Sequence, residues 1–322
     1  MPSKNKLSRT PMSSARVRLA IIAVAAATGT VIVTSTSVAS IAGMNASATV
    51  VARAFVYWAN NQVGSSGQTT IGRANLDGTA VNQSFIRNAN GPCGVAVRGR
   101  YIYWAQEGGR WIGRANLNGT DVSRKFITTR PTTSGLCGIA VDSAHIYWGT
   151  GYNGTTIGRA NLDGTNVNND FVTGANGPSS VAVDANHIYW GNYSGSPTAL
   201  KTIGRANLDG TAVNQSFITG ANNPHGIAVD GNYIYWANYG AYGSPTPTTI
   251  GRANLDGTHV NDDFINGTHS GCGIAIAAGH IYWGNDDSDG GTTIGRANLN
   301  GTAVTQSFIK GANGPCGIAV AK

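Results

Sequence analysis

The sequence has little charge. Lys, Arg, Asp and Glu make up only 11% of the 322 residues, and Glu107 is the single glutamate. A chain with so few charges is not kept unfolded by charge repulsion, and 41% hydrophobic residues are enough to build a core. The composition therefore excludes a charge-driven disordered chain and predicts a folded protein with an uncharged, Asn- and Gly-rich surface.

A helical period is also missing after residue 48. Short β-branched and aromatic runs alternate there with Gly, Asn and Asp, and Gly alone accounts for 45 residues of the chain. The strict repetition described below excludes a flexible Gly-rich linker. The chain is thus expected to be all-β.

The net charge of +7 is concentrated at the N-terminus. Residues 1–48 hold five basic residues and no acid, which leaves 17 basic and 15 acidic residues, or +2, for the remainder. A domain with so small a net charge has no electrostatic reason to bind phosphate. We therefore expect no nucleic-acid partner.

The first 48 residues resemble an export signal. A basic segment precedes an apolar stretch at residues 19–33, and Ala46-Ser47-Ala48 fits an A-x-A cleavage site. The alternative is an uncleaved anchor, although Thr28-Gly29-Thr30 interrupts the stretch and a bilayer span needs about 20 apolar residues. We predict a signal at 1–48, a domain at 49–322 that is secreted or held at the cell surface, and no further membrane insertion.

Six copies of one unit fill the remainder. A Tyr-Trp pair recurs every 42 to 47 residues, and each copy contains Ile-Gly-Arg-Ala-Asn-Leu, an Asp-Gly-Thr or Asn-Gly-Thr, a Phe and an apolar triplet centred on Ala. The pairs begin at Tyr57, Tyr103, Tyr147, Tyr189, Tyr235 and Tyr282. Such a period is typical of propellers and solenoids, and a solenoid would need distinct capping repeats, which the sequence lacks.

Each unit divides into four short strands separated by turn residues. We predict a six-bladed β-propeller of four-stranded antiparallel blades. The first Tyr-Trp strand has no apolar strand before it, whereas the last unit ends in a surplus Gly317-Ile318-Ala319-Val320. The C-terminal strand is therefore predicted to complete the first blade and to close the ring, which removes two open sheet edges.

The units resemble YWTD repeats, the class B repeats of the low-density lipoprotein receptor. The matches are the Tyr-Trp pairs, the Ile-x-Arg-Ala-x-Leu-Asp-Gly string that starts at Ile203, and Pro-x-Gly-Ile-Ala-Val-Asp at residues 224–230. The resemblance covers nearly all of residues 51–322 and implies a six-bladed propeller that binds other molecules, usually proteins, outside the cell. The Thr-Asp half of the family motif is absent.

One face of the predicted propeller is variable. The loops between the second and third strands run 12, 7, 8, 12, 13 and 10 residues from Trp to Ile, whereas the turns between the third and fourth strands are nearly identical. A variable face on a uniform scaffold is typical of a binding site. We predict a non-enzymatic binding or scaffolding propeller for an extracellular protein or glycan, and the loops' simple tolerance of insertions is the alternative. The predicted ligand-binding residues are Tyr193, Tyr239, Tyr242, Asp286, Asp287 and Asp289.

An enzymatic role is the competing hypothesis. A lyase or hydrolase similar to the streptogramin lyases would place its site at the channel mouth, where His225 is the one unusual residue. No catalytic residue, cofactor or metal is predicted. Residues 285–290 resemble the start of a calcium loop, but Arg296 stands where that loop needs Glu, so a solvated acidic loop and a weak Ca²⁺ site at residues 286–289 both remain open.

The cysteines share one repeat position, just before the residue that opens the inner strand. The six residues at that position should ring the channel mouth: Cys93, Cys137, Ser179, His225, Cys272 and Cys316. Only neighbouring blades bring Cα atoms within the roughly 7 Å that a disulfide allows. The cysteines fall in four consecutive blades, so pairing all four with neighbours leaves Cys272–Cys316 and Cys93–Cys137, which we predict. Free thiols and a thiolate–imidazole metal site that includes His225 remain as alternatives.

Overall fold

The computed structural model describes residues 54–61, 69–131, 135–193, 201–240, 248–269, 271–286 and 291–321, together with two short upstream strands. The chain divides into two units, Met1–Ala52 and Arg53–Lys322. In the first unit, β1 (Val33–Thr34) pairs antiparallel with β2 (Thr49–Val50). The rest of the predicted export signal lies outside the described residues. Nowhere in the described part of the chain is there a helix long and apolar enough to cross a membrane.

The second unit consists of strands in four classes, numbered in chain order. The innermost strands are β6 (Pro92–Arg98), β10 (Ile139–Val141), β14 (Pro178–Val183), β18 (Pro224–Val229), β22 (Gly271–Ala277) and β26 (Pro315–Ala321). The second strands are β3 (Phe55–Asn60), β7 (Tyr101–Gln106), β11 (His145–Gly149), β15 (His187–Asn192), β19 (Tyr233–Asn238) and β23 (His280–Asn285). The third strands are β4 (Thr70–Asn75), β8 (Trp111–Asn116), β12 (Thr156–Asn161), β16 (Thr202–Asn207), β20 (Thr248–Asn254) and β24 (Thr293–Asn298). The outermost strands are β5 (Asn82–Ile86), β9 (Ser123–Thr128), β13 (Asn168–Thr173), β17 (Asn214–Thr219), β21 (Asn261–Thr268) and β25 (Thr305–Lys310).

The strands form six antiparallel sheets of four, the blades of a propeller. Blade 1 is β26-β3-β4-β5, and blades 2 to 6 follow in chain order from β6 to β25. The inner strands of neighbouring blades contact each other in an unbroken circuit from β6 back to β26. In blade 1, Ile318 pairs with Trp58 and Ala319 with Tyr57. The predicted six-bladed fold and its closure by the C-terminal strand are confirmed.

The repeated Tyr-Trp pair holds neighbouring blades together. Adjacent residues of a strand point to opposite faces of the sheet, so Tyr57 packs toward Trp104 of blade 2 while Trp58 packs toward Tyr282 of blade 6. All six Tyr-Trp pairs are fully buried. One dipeptide therefore supplies both sides of each interface between blades, which explains why it recurs in every unit.

The glycine of Ile-Gly-Arg-Ala-Asn-Leu leaves room for the same tryptophan. A Cβ atom at Gly204 would lie 2.1 Å from Cε2 of Trp190, and the other five units show the same approach. Since real Cβ atoms do not come so close, the third strand needs glycine wherever the second strand carries Trp. The two residue types are coupled through the pairing of neighbouring strands.

One face of the propeller is uniform. The turns between third and fourth strands repeat one hydrogen-bond pattern, in which Asp209 Oδ1 accepts from the amide of Thr211 at 2.9 Å and from its hydroxyl at 2.6 Å. The equivalent acceptors are Asp77, Asn118, Asp163, Asp256 and Asn300. Short Asp and Asn side chains stabilise such turns locally.

Candidate binding face around the channel mouth

Two disulfides lie at the mouth of the channel. Cys93 is bonded to Cys137 and Cys272 to Cys316, each with a Cα–Cα distance of 4.8 Å, so the predicted pairing is confirmed. The Sγ atoms of Cys93 and Cys316 are 3.7 Å apart, which brings the two bridges into contact. Four of the six mouth residues therefore meet as one sulfur cluster.

His225 and Ser179 complete this ring. The imidazole is 4% exposed, and its Nδ1 lies 3.1 Å from the carbonyl oxygen and 3.2 Å from Sγ of Cys272. Since a carbonyl only accepts, Nδ1 carries the proton and donates it. Burial lowers the pKa of His225 to about 4, so the ring is neutral at neutral pH. The hydroxyl of Ser179 donates to the carbonyl of His225 at 3.4 Å.

The metal alternative does not fit this donor set. Ligand atoms of His225, Cys272 and Cys316 lie within 4.8 Å of one another, which is close enough for an ion. Metals bind thiolates, however, and both sulfurs belong to disulfides. The bridged cysteines therefore do not offer the thiolates that a metal centre at the mouth would need.

The channel inside the ring of mouth residues is narrow. Its cavity has a volume of about 50 Å³ and is lined by the mouth residues and by the inner-strand residues that follow them. Pockets for small ligands typically measure 300–1,000 Å³. The channel can hold a few water-sized groups, so a site for a larger molecule has to lie on the face outside it.

Three tyrosines from the variable loops surround His225. The ring centres of Tyr152, Tyr193 and Tyr239 lie 6.4, 4.7 and 5.5 Å from the imidazole. Tyr193 is in turn 5.2 Å from Tyr152 and 5.8 Å from Tyr239, so blades 3, 4 and 5 share one aromatic wall. The structure thus joins two of the predicted residues, Tyr193 and Tyr239. Tyr242 lies outside the described residues.

Tyr152 is a member of this wall that the sequence analysis missed. It stands four residues after its Trp, one place beyond the position of Tyr193 and Tyr239, in a loop of only 8 residues. A comparison of the six loops counted from Trp would have brought it close to the other two.

The other half of the mouth is polar and acidic. The position three residues after Trp carries, in blade order, Asn61, Glu107, Gly151, Tyr193, Tyr239 and Asp286. The side-chain amide of Asn61 donates to the carboxylate of Glu107. Blades 6, 1 and 2 therefore supply an acidic wall that complements the tyrosines of blades 3, 4 and 5.

The two walls influence each other electrostatically. Desolvation, and next the charge of Glu107, raise the pKa of Tyr152, with a smaller contribution from Asp286. Asp286 is half-buried, while Asp287 and Asp289 lie outside the described residues. A Ca²⁺ site in that loop and a ligand contact by those two residues stay predictions.

Backbone hydrogen bonds tie the mouth to the connectors between blades. The amide of Tyr193 donates to the carbonyl of Gly177 at 3.1 Å, that of Tyr239 to Asn223 at 3.2 Å, and that of Glu107 to Gly91 at 2.8 Å. Tyrosine faces and carboxylates held in this way can attract a cationic group, because aromatic rings present negative charge at their faces. The arrangement fits recognition of a basic side chain.

In class, the protein is a six-bladed β-propeller whose narrow channel opens on a face of variable loops. It is similar to the structure solved as a nidogen/laminin complex, with 17% identity, a TM-score of 0.65, and coverage of 84% of this chain and 98% of that one. It is also similar to hydrazine synthase of Kuenenia stuttgartiensis, with 14% identity, a TM-score of 0.52 and coverage of 74% of each chain. A gluconolactonase of Xanthomonas campestris matches with 16% identity, a TM-score of 0.49, and coverage of 70% of this chain and 75% of that one.

These likenesses are of fold. The resemblance of the units to YWTD propellers is confirmed at the level of the fold. No protein-family model and no curated protein matches the sequence.

Proposed function

We propose that the protein is an exported, non-enzymatic binding propeller that takes an extracellular protein or glycan on the face around its channel mouth. The export-like segment at residues 1–48 and the two disulfides support a location outside the cytoplasm, since disulfides persist in oxidising compartments. The related fold in nidogen was solved in complex with laminin, which favours a protein partner.

The observation that carries the proposal is the chemistry of one repeat position. Three residues after each Trp, the chain carries Asn61 and Glu107, then Gly151 with Tyr152 next to it, then Tyr193, Tyr239 and Asp286. The turns on the opposite face keep one pattern. Tyr152 and half-buried Tyr239 supply contact area at low entropic cost, while Tyr193 is buried between them. The facing carboxylates favour a partner with a basic group. A partner that inserts a lysine or an N-terminal amine would meet both walls.

The same geometry argues against His225 as a catalytic base. A general base needs access to its substrate and a pKa near the working pH. His225 is 4% exposed, and its pKa is about 4. We therefore assign it a packing role beneath the tyrosine wall.

The test is an interaction screen with the purified exported protein against arrays of extracellular proteins and glycans. Tyr239→Ala and Glu107→Gln should each weaken binding of the partner at least tenfold. The first removes one ring of the tyrosine wall, and the second removes the charge of one carboxylate in the acidic wall. Thr211→Ala, in a turn on the opposite face, should leave it unchanged and serves as the control. A hit that Thr211→Ala abolishes and both mouth variants retain would overturn the proposal.

A further inference from the structure

A second cavity lies away from the mouth, between blades 1 and 2. Its volume is about 530 Å³, within the range typical of ligand pockets. It is lined by the connector that follows β5, by the loop end of β7, and by residues of β8 and β9. The residues used below are Asn88, Asn90, Gln106, Trp111, Arg124 and Lys125.

The six repeats provide an internal comparison for these positions. Trp111 stands immediately before the Ile of β8, where the other five units all have threonine: Thr70, Thr156, Thr202, Thr249 and Thr293. Lys125 replaces Ser or Asp, and Arg124 replaces Gln, Asn or Asp. Blade 2 alone carries an aromatic ring and two cations at a corner that is otherwise small and neutral or acidic.

The connector beside this corner departs from the repeat as well. Asn88 has a φ of 54°, in the left-handed region that disfavours side chains. The equivalent residues of four other units are glycines with φ between 72° and 93°: Gly174, Gly220, Gly267 and Gly311. Asn adopts this region more readily than most residues, so the exchange adds a side-chain amide to the connector and keeps its turn.

Hydrogen bonds fix the floor of the groove. Arg124 donates from Nε to the carbonyl of Asn88 at 2.5 Å and from Nη2 to the carbonyl of Arg87 at 3.1 Å. The side chain of Gln106 is fully buried. Its Oε1 accepts from the side-chain amide of Asn90 at 2.8 Å, and its Nε2 donates to the backbone carbonyl of Arg124 at 2.5 Å. The two blades are thus joined beneath the cavity, and its polar groups are held in place before any ligand binds.

The charge of the groove has one sign. Lys125 Nζ lies 4.4 Å from the ring centre of Trp111, and Arg124 borders the same space. Among the described residues that line the groove there is no acid. The groove therefore presents a flat aromatic ring, side-chain amides and two cations.

We propose that this groove binds a saccharide unit that carries an acidic group, a carboxylate or a sulfate. Lys125 Nζ lies over the Trp111 ring, 4.4 Å from its centre, so it has to turn toward the acid for the ring to stack on the apolar face of a sugar. Asn88 and Asn90 then offer donors and acceptors to the sugar hydroxyls, and Arg124 and Lys125 offer charge to the acid. An acidic peptide would use the cations but has no row of hydroxyls for the amides. The groove is separate from the mouth, so this assignment does not depend on the function proposed above.

Tryptophan fluorescence isolates the groove. The other six tryptophans are fully buried, so acrylamide quenching of the full-length protein reports on half-buried Trp111. Tetragalacturonate for the carboxylate and a sulfated tetrasaccharide for the sulfate are titrated, with a neutral tetrasaccharide and tetraglutamate as comparisons. We expect at least one acidic saccharide to protect Trp111 from quenching, and the neutral sugar and the peptide to bind at least tenfold more weakly.

The variants restore residues that the other blades already tolerate. Trp111→Thr and Lys125→Ser should each reduce acidic-saccharide affinity at least tenfold, as measured by calorimetry. Arg98→Gln removes one exposed charge elsewhere on blade 2 and should have no effect. Tyr239→Ala should also leave this binding intact, which separates the groove from the mouth. Equal binding of the neutral sugar, preference for tetraglutamate, no binding of either acidic saccharide, or full binding by Trp111→Thr would each overturn the proposal.

Discussion

At the scale of single residues, the six repeats show which side chains the fold requires and which it leaves free. Cysteine holds the mouth position in four blades, Ser179 in one and His225 in another. His225 is the titratable member of that ring, because the cysteines are bridged. Its surroundings are the Cys272 backbone and three tyrosines, whose hydroxyls ionise only at high pH.

The burial of His225 predicts a pH dependence of stability. In the unfolded chain the imidazole binds a proton below its ordinary pKa of 6.5, whereas in the folded protein it does so only below about 4. Neutral His225 therefore makes its full contribution to the free energy of unfolding above pH 6.5. As the pH falls toward 4, about 3 kcal/mol of this contribution is lost. Denaturant unfolding at pH 7, 5.5 and 4 measures the loss.

The matched variant is His225→Ser, which installs the residue that blade 4 has at this position. It should lose less stability than the wild type between pH 7 and pH 4. The other titratable groups are the same in both proteins, so their effect cancels in the difference between the two pH profiles. Identical pH profiles would show that His225 is not buried as a neutral ring.

Gly204 gives a second prediction at this scale. In Gly204→Ala the new methyl group would stand 2.1 Å from Trp190, so the strand or the indole has to move. Overpacking of this kind costs about 2–3 kcal/mol, or roughly 5–10 °C in Tm. Gly231→Ala is the control, because nothing lies within 4 Å of its added Cβ and its φ is ordinary. Equal melting of the two variants would contradict the packing argument.

At the scale of elements, the closing strand β26 contributes more than its terminal place in the chain suggests. It supplies the inner strand of blade 1 and contacts the inner strands of both neighbouring blades. Cys316 on this strand is bridged to blade 6, with a sequence separation of 44 between the two cysteines. In the chain-entropy treatment such a bridge contributes about 4 kcal/mol.

Removal of residues 317–322 should therefore abolish cooperative unfolding or lower Tm by more than 10 °C. The deletion exposes the edge of β3 and uncovers the core residues around Trp58. Differential scanning calorimetry provides the measurement, with a variant that lacks only Lys322 as the control. A truncated protein that melts within two degrees of the control would show that β26 is dispensable.

At the scale of the whole molecule, the ring has no structural beginning. Ala321 pairs with Phe55 at the end of the β26–β3 ladder, as Ala277 pairs with His280 in blade 6. In blade 6 the two strands are joined by Ala278-Gly279. The break in blade 1 is thus a missing two-residue turn in an otherwise equivalent blade.

A circular permutant follows from this equivalence. The new chain starts at Gly279, runs to Ala321, continues through an Ala-Gly linker to Phe55, and ends at Ala278. Closure then moves to blade 6, and the permutant should melt within a few degrees of the parent, because each inter-blade interface is kept. A permutant opened inside β18, between Ala228 and Val229, should fail to fold. Loss of folding in the first permutant would refute the equivalence of the blades.

Part of the channel mouth was predictable from the residues alone. Tyr193 and Tyr239 were predicted to lie on one face because the loops there vary in length and content, and Cys93, Cys137, Cys272 and Cys316 because one repeat position locates them on the ring. The groove beside Trp111 was not found. Its residues come from separate segments, and only the pairing of β7, β8 and β9 and the approach of blade 1 bring them together.

The number of blades, the closure of the ring and the pairing of the disulfides were predictable from the repeat, with free thiols and a metal site as open alternatives for the four cysteines. Each of these follows from a period counted along one chain, and a repeat states the same local preferences six times. Other features emerge only from the packed structure: the two disulfides touch at the mouth, His225 lies buried beneath Tyr152, and Glu107 and Asp286 act on the tyrosine wall. Those features depend on how side chains from different blades approach one another across the ring, and distances of that kind are set by packing.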